Sequence, residues 1–107
     1  MENKSVSNSF QTFLKEAPGH AGAWMEMVHK LDEASSLDKK TEELAYIAVM
    51  AAVDLESGIP FHVKSAKASG ATREEIKSAI LLGLPAVGNR VVKALPVALN
   101  AFDEENV

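Results

Sequence analysis

No cysteine occurs among the 107 residues. Disulfides, thiol nucleophiles, thiol redox couples and thiolate metal sites are therefore excluded from the start. Aromatic residues are scarce, at 6%. No cluster of Lys and Arg is interleaved with them, and the net charge is −4 with a pI near 5.3, so no nucleic-acid partner is expected. The longest apolar run, Leu44 to Val53, has ten residues, against about 20 needed to cross a bilayer. No membrane association is expected. Met1-Glu2-Asn3-Lys4-Ser5 opens onto a polar segment without the apolar core of a secretory signal, which leaves the cytoplasm as the expected location. The three histidines, His20, His29 and His62, are widely spaced, so neither a metal site nor a cofactor is expected. Gly83 to Gly88 lacks the spacing of a dinucleotide loop and follows no strand pattern. Strand alternation and internal repeats are not found either.

What is present is helical. Apolar residues make up 47% of the chain, and 16 residues are alanine, so the pattern suits a close-packed all-α fold of about six helices in a single domain, 1–107. Residues 1–4 are expected to fray. Between Ser5 and Glu16, Val6, Phe10, Phe13 and Leu14 form one helical stripe. Pro18-Gly19 breaks the chain. Trp24, Met27, Val28 and Leu31 form a second stripe up to about Glu33. Trp24, Met25 and Met27 suit packing better than a cofactor slot. Asp38 is an N-cap for a helix from Lys39 to about Leu55, and that helix is apolar nearly all round, as buried helices are. A bend at Asp54 to Gly58 leads to a helix opening at Gly58-Ile59-Pro60, and Gly70 is placed to close it in a left-handed conformation. Thr72-Arg73-Glu74-Glu75 reads as a capping box for a helix to Leu82, with Ile76, Ala79, Ile80 and Leu82 available inward. The last helix is expected from Pro85, with Val87, Val91, Ala94, Leu95, Ala98 and Phe102 on one side. A bend is expected at Pro96, which cannot donate to the Val92 carbonyl. Asp103-Glu104-Glu105 is an expected solvated tail.

The chemistry of the core reduces to two side chains. Glu43 lies at the front of the Lys39 helix and His62 in the first turn of the next. An imidazole serves as general acid or base near neutral pH, or as a hydrogen-bonded core residue. A glutamate in a first turn also simply favours the helix dipole, as Glu42 beside it does. His20 and His29 suit the surface, as do Arg90 and Lys93, whose other possible role is to bind an acidic substrate.

The ordered set Ala17-Pro18-Gly19, Leu37-Asp38-Lys39-Lys40-Thr41-Glu42-Glu43-Leu44, Phe61-His62-Val63-Lys64, Gly70-Ala71-Thr72-Arg73-Glu74-Glu75-Ile76 and Ala94-Leu95-Pro96-Val97-Ala98-Leu99 resembles the carboxymuconolactone decarboxylase family. That family includes the alkylhydroperoxidase D-like proteins. The resemblance covers most of the chain in one register. It implies an oligomerising helical fold, with a homotrimer or homohexamer as the leading assembly. Its redox members carry Cys-x-x-Cys-x-x-x-His. On that motif His62 matches the histidine, while Leu55 and Gly58 stand where the cysteines would be, so peroxidase chemistry cannot operate here. The resemblance also implies a proton relay in which a glutamate 19 residues ahead of the histidine, here Glu43, orients the imidazole.

Two kinds of function follow. One is a small carboxy-lyase, or a related proton-transfer enzyme, acting on a compact carboxylic acid or lactone. It would use His62 and Glu43 as the catalytic pair, with Leu55, Gly58 and Phe61 as substrate-binding positions and no cofactor. The other is a noncatalytic oligomeric scaffold or small-ligand-binding relative.

Overall fold

A computed structural model describes residues 6–104 of the chain. The fraying expected at residues 1–4, and Glu105 of the expected tail, lie outside them. Contacts gather into two units, one running to Leu37 and the other beginning at Asp38.

The first unit is a helical hairpin, α1 (Asn8–Glu16) and α2 (Pro18–Ala34). The Ser7 hydroxyl accepts the Phe10 N–H at 3.1 Å and starts α1. Ala17 leaves helical geometry at φ −134°, and Pro18 takes the first position of α2, where no N–H is needed. The Phe10 ring meets Phe13 at 5.9 Å and Trp24 at 5.2 Å. Farther along the α2 stripe, Met27 and Leu31 remain 48% and 62% exposed.

The second unit contains α3 (Lys39–Ala52), a 3-10 turn (Glu56–Gly58), α4 (Ile59–Ala68), α5 (Arg73–Leu81), α6 (Leu84–Val87), a second 3-10 turn (Gly88–Lys93) and α7 (Ala94–Asp103). Among the described residues there is no strand. Six of the α-helices have nine residues or more, and α6 is a four-residue piece. Ile47 and Met50 of α3, Ile59 and Val63 of α4, Ile76 and Ile80 of α5, and Val91 fill the core. Ala66 of α4 and Ala98 of α7 are fully buried; side chains this small let those two helices pack closely.

The local signals in the sequence act as their chemistry requires. The Asp38 carboxylate accepts the Thr41 N–H at 2.8 Å. Thr72 and Glu75 cap one another, with the Glu75 N–H donating to the Thr72 hydroxyl at 3.1 Å and the Thr72 N–H to Glu75 Oε1 at 2.9 Å. At the end of α4 the Ala71 N–H reaches back to the Ala66 carbonyl and the Gly70 N–H to Lys67, with Gly70 at φ +100°. This is the Schellman arrangement, and it needs a residue without Cβ at the turn.

Three expectations are corrected. The helix from Lys39 ends at Ala52 rather than near Leu55, because Asp54 turns left-handed at φ +67° and the Leu55 N–H closes onto the Met50 carbonyl. Asp tolerates that conformation better than most side chains, and Lys93 pairs with its carboxylate at 3.1 Å. Leu82 is 71% exposed, since it follows the last turn of α5 instead of sharing its inward face. The helix expected from Pro85 breaks at Gly88, not Pro96. Gly88 adopts φ +69°, ψ −149°, a region open essentially to glycine alone. Pro96 falls in the first turn of α7, where a missing N–H leaves no bond unmade.

The stretch Arg73–Asp103 is long and apolar enough to cross a membrane by length and composition alone. It is not one helix, however. It divides into α5, α6, the 3-10 turn and α7, and Ile76, Ile80, Val91, Ala94 and Ala98 face the core.

Candidate active site

Helices α3 and α4 bring one carboxylate and one imidazole together. Glu43 projects from the first half of α3 on the face that also carries Ile47 and Met50, and is 5% exposed. It is the one charged residue buried among the described core. His62 stands near the start of α4, where Val63 and Ala66 seat the helix in the core. Its Nδ1 lies 2.8 Å from Glu43 Oε1, and its side chain keeps 28% of its surface exposed. A charge-assisted bond of this length holds Nδ1 in place. With Glu43 accepting from Nδ1–H, Nε2 is the nitrogen left for chemistry.

Glu43 has further partners. Lys39 Nζ, one turn earlier on α3, stands 3.7 Å from Oε2, and the Ser65 hydroxyl, one turn beyond His62, also favours the ionised carboxylate. Burial alone pushes the Glu43 carboxyl up. The bond from His62 and the nearby Ser65 hydroxyl, with the positive charges of His62 and Lys39, outweigh burial and hold it below the ordinary carboxylate range.

A carboxylate depressed in the folded state adds stability that is fully present above the unfolded value, about 4.3 for glutamate, and is lost as pH falls through the folded value. The stability gap between the native protein and Glu43→Gln should therefore narrow as pH falls below about 4.3. Urea unfolding at neutral pH and in a series of acid buffers measures it. A gap that widens on acidification contradicts the arrangement.

Two aromatic rings flank the imidazole. Tyr46 meets it edge-on with centroids 4.7 Å apart, and Phe61 does so at 5.3 Å. Phe61 is 44% exposed and Leu55 48%. Gly58 is half-buried in the 3-10 turn; a Cβ there would lie 3.0 Å from the Met50 sulfur. Of the three expected substrate-binding positions, Phe61 is the one whose ring contacts His62. Tyr46, Lys39 and Ser65 were not singled out by sequence reasoning. The available signal was their spacing: Lys39 and Tyr46 fall one helical turn either side of Glu43, and Ser65 one turn after His62.

The other candidates take no part in this cluster. His20 and His29 are exposed. Glu26 and His29 have an i, i+3 spacing that metal sites also use, but Glu26 pairs with Lys30 at 3.1 Å. No group of three or more His, Asp or Glu able to hold a metal ion gathers among the described residues. Lys93 is occupied by Asp54. A groove of about 410 Å³ is lined by Ala23, Glu26, Met27, Lys30 and Leu31. All five lie on one face of α2, so it is an open furrow along a helix and contains none of the site residues.

The model of the carboxymuconolactone decarboxylase family matches residues 18–100. Among solved structures, the chain is similar to apo-lpg0406, a carboxymuconolactone decarboxylase family protein from Legionella pneumophila. The two share 27% identity and a TM-score of 0.75, over 89% of this chain and 85% of that one. No curated protein matches the chain.

Proposed function

We propose a function from one premise: the chain belongs to the carboxymuconolactone decarboxylase family. The function is proton transfer on a small carboxylic acid or lactone, with loss of CO2 as the leading reaction. The observation that carries it is the 2.8 Å contact between His62 Nδ1 and the buried Glu43 carboxylate. In such a reaction the bond from carbon to the carboxylate breaks and CO2 leaves. Its electron pair moves into a conjugated carbonyl of the substrate. His62 then delivers the Nε2 proton to carbon, and Glu43 stabilises the imidazolium before that transfer and holds Nδ1–H after it. Thiol peroxidase chemistry has no place in the scheme, because the positions of the paired cysteines are held by Leu55 and Gly58.

Carboxymuconolactone, which gives the family its name, is the first substrate to test. Release of CO2 above the buffer blank, abolished in His62→Gln, supports the proposal. Neither turnover nor calorimetric binding of that compound and of simple lactone acids would favour a noncatalytic relative.

Self-association belongs to the same proposal, as a homotrimer or homohexamer. Val49 of α3, Val53 just past its end and Leu82 after α5 are 54%, 61% and 71% exposed, apolar surface on an 11.5 kDa chain that further copies would cover. Sedimentation at micromolar concentration should show an assembly, and a stable monomer would overturn it.

A further inference from the structure

We infer that Tyr46 is a positioning residue for His62, fixing the plane of the imidazole while Glu43 fixes its Nδ1. The inference rests on the proposed role of the pair, and its test is chosen to be readable without any activity.

One hydrogen bond does not orient a ring. The Nδ1···Oε1 contact sets one atom of the imidazole, and the ring can still swing about that contact and carry Nε2 with it. A second contact, held by the same element as Glu43, removes the swing. Tyr46 provides it. It lies three residues after Glu43 on α3, and residues so spaced share a helix face. Its ring sits 4.7 Å from the imidazole centroid at an interplanar angle of 70°. This edge-on geometry is the favourable one for aromatic pairs. Phe61 cannot do the same work. Although its ring is 5.3 Å from the imidazole, it is the chain neighbour of His62 and moves with the same turn of α4. Tyr46 and Glu43 therefore reference the ring to α3 at two points.

Exposure supports a role beyond packing. Tyr46 is 42% exposed, while the core beneath it is filled by Ile47 and Met50. Removing the Tyr46 ring opens no cavity in that core, so the residue can be varied without emptying the fold.

The test compares Tyr46→Leu with Tyr46→Phe in the full chain. The first removes the ring, and the second keeps the ring and removes only the hydroxyl. NMR of the His62 side chain reports ring order and the exchange of the Nδ1 proton with water. Tyr46→Leu should lower ring order and speed that exchange roughly tenfold or more, since a ring free to swing breaks its bond to Glu43 more often. Tyr46→Phe should match the native protein. Where CO2 release from carboxymuconolactone is measurable, kcat should fall roughly tenfold in Tyr46→Leu with KM nearly unchanged, because a misplaced group slows chemistry more than binding. A native protein without turnover would defeat the proposed function, yet the NMR comparison would still decide the role of Tyr46. Unchanged ring order and proton exchange in Tyr46→Leu would overturn the inference, even with a lowered Tm. Equal losses in the two variants would overturn it too, since the hydroxyl rather than the ring would then be the acting group.

Discussion

His62→Gln is expected to fold, to assemble as the native chain does, and to lose proton transfer. Glutamine keeps much of the volume and a polar end, and its amide can donate to Glu43 Oε1 where His62 Nδ1 now stands at 2.8 Å. The buried carboxylate is not left without a donor, so stability should change by no more than about 1–3 kcal/mol. The amide cannot accept and return a proton near neutral pH, so activity should fall by about 10²–10⁴. Glu43→Gln keeps the shape of the carboxylate but not its charge. An amide either donates to or accepts from Nδ1, and the tautomer is then no longer dictated. A smaller fall in activity follows. Because both residues act through one imidazole, the double variant should be about as poor as His62→Gln alone. Turnover and thermal unfolding of the three variants test this. Native turnover in His62→Gln would remove the imidazole from the chemistry. Effects that multiply would show that Glu43 acts independently of the ring.

Ile47→Ala carries the largest expected effect on stability, about 2–5 kcal/mol from lost burial and the cavity left behind. Ile47 is fully buried on α3, one turn beyond Glu43, in the cluster with Met50, Val63 and Ile76. The loss is large against the roughly 5–15 kcal/mol that holds a typical domain together. Leu82→Ala is the matched control. At 71% exposure the same kind of truncation should stay within about 0.5 kcal/mol for the isolated chain. Urea midpoints with unchanged slopes would give both numbers. Equal losses at the two positions would mean that an assembly buries Leu82 as completely as the fold buries Ile47.

Sequence by itself determined what is decided within about one helical turn. Asp38 caps α3, Thr72 and Glu75 cap α5, and Gly70 closes α4, because each involves groups only a few residues apart whose preferences are intrinsic. The absence of cysteine settles the exclusion of thiol chemistry with no structure at all. The pairing of Glu43 with His62 was legible for another reason: resemblance to a family supplied the 19-residue spacing, which no local rule contains.

Tertiary structure decided the rest. Apolar periodicity ran on through Val87 and Val91, and nothing local in it says that Gly88 will take a glycine-only conformation; that break lets Val91 and Ala94 both reach the core. Asp54 reads as an ordinary bend residue until α3 has to turn sharply and Lys93 approaches from the far end of the chain. Tyr46 reads as one more apolar position in a run of ten. Its contact with His62 spans 16 residues and exists only because α3 packs against α4 at one distance and rotation. Local preferences set where helices begin and end, but which side chains meet across them depends on how the cores interlock, and that is a property of the whole packed chain.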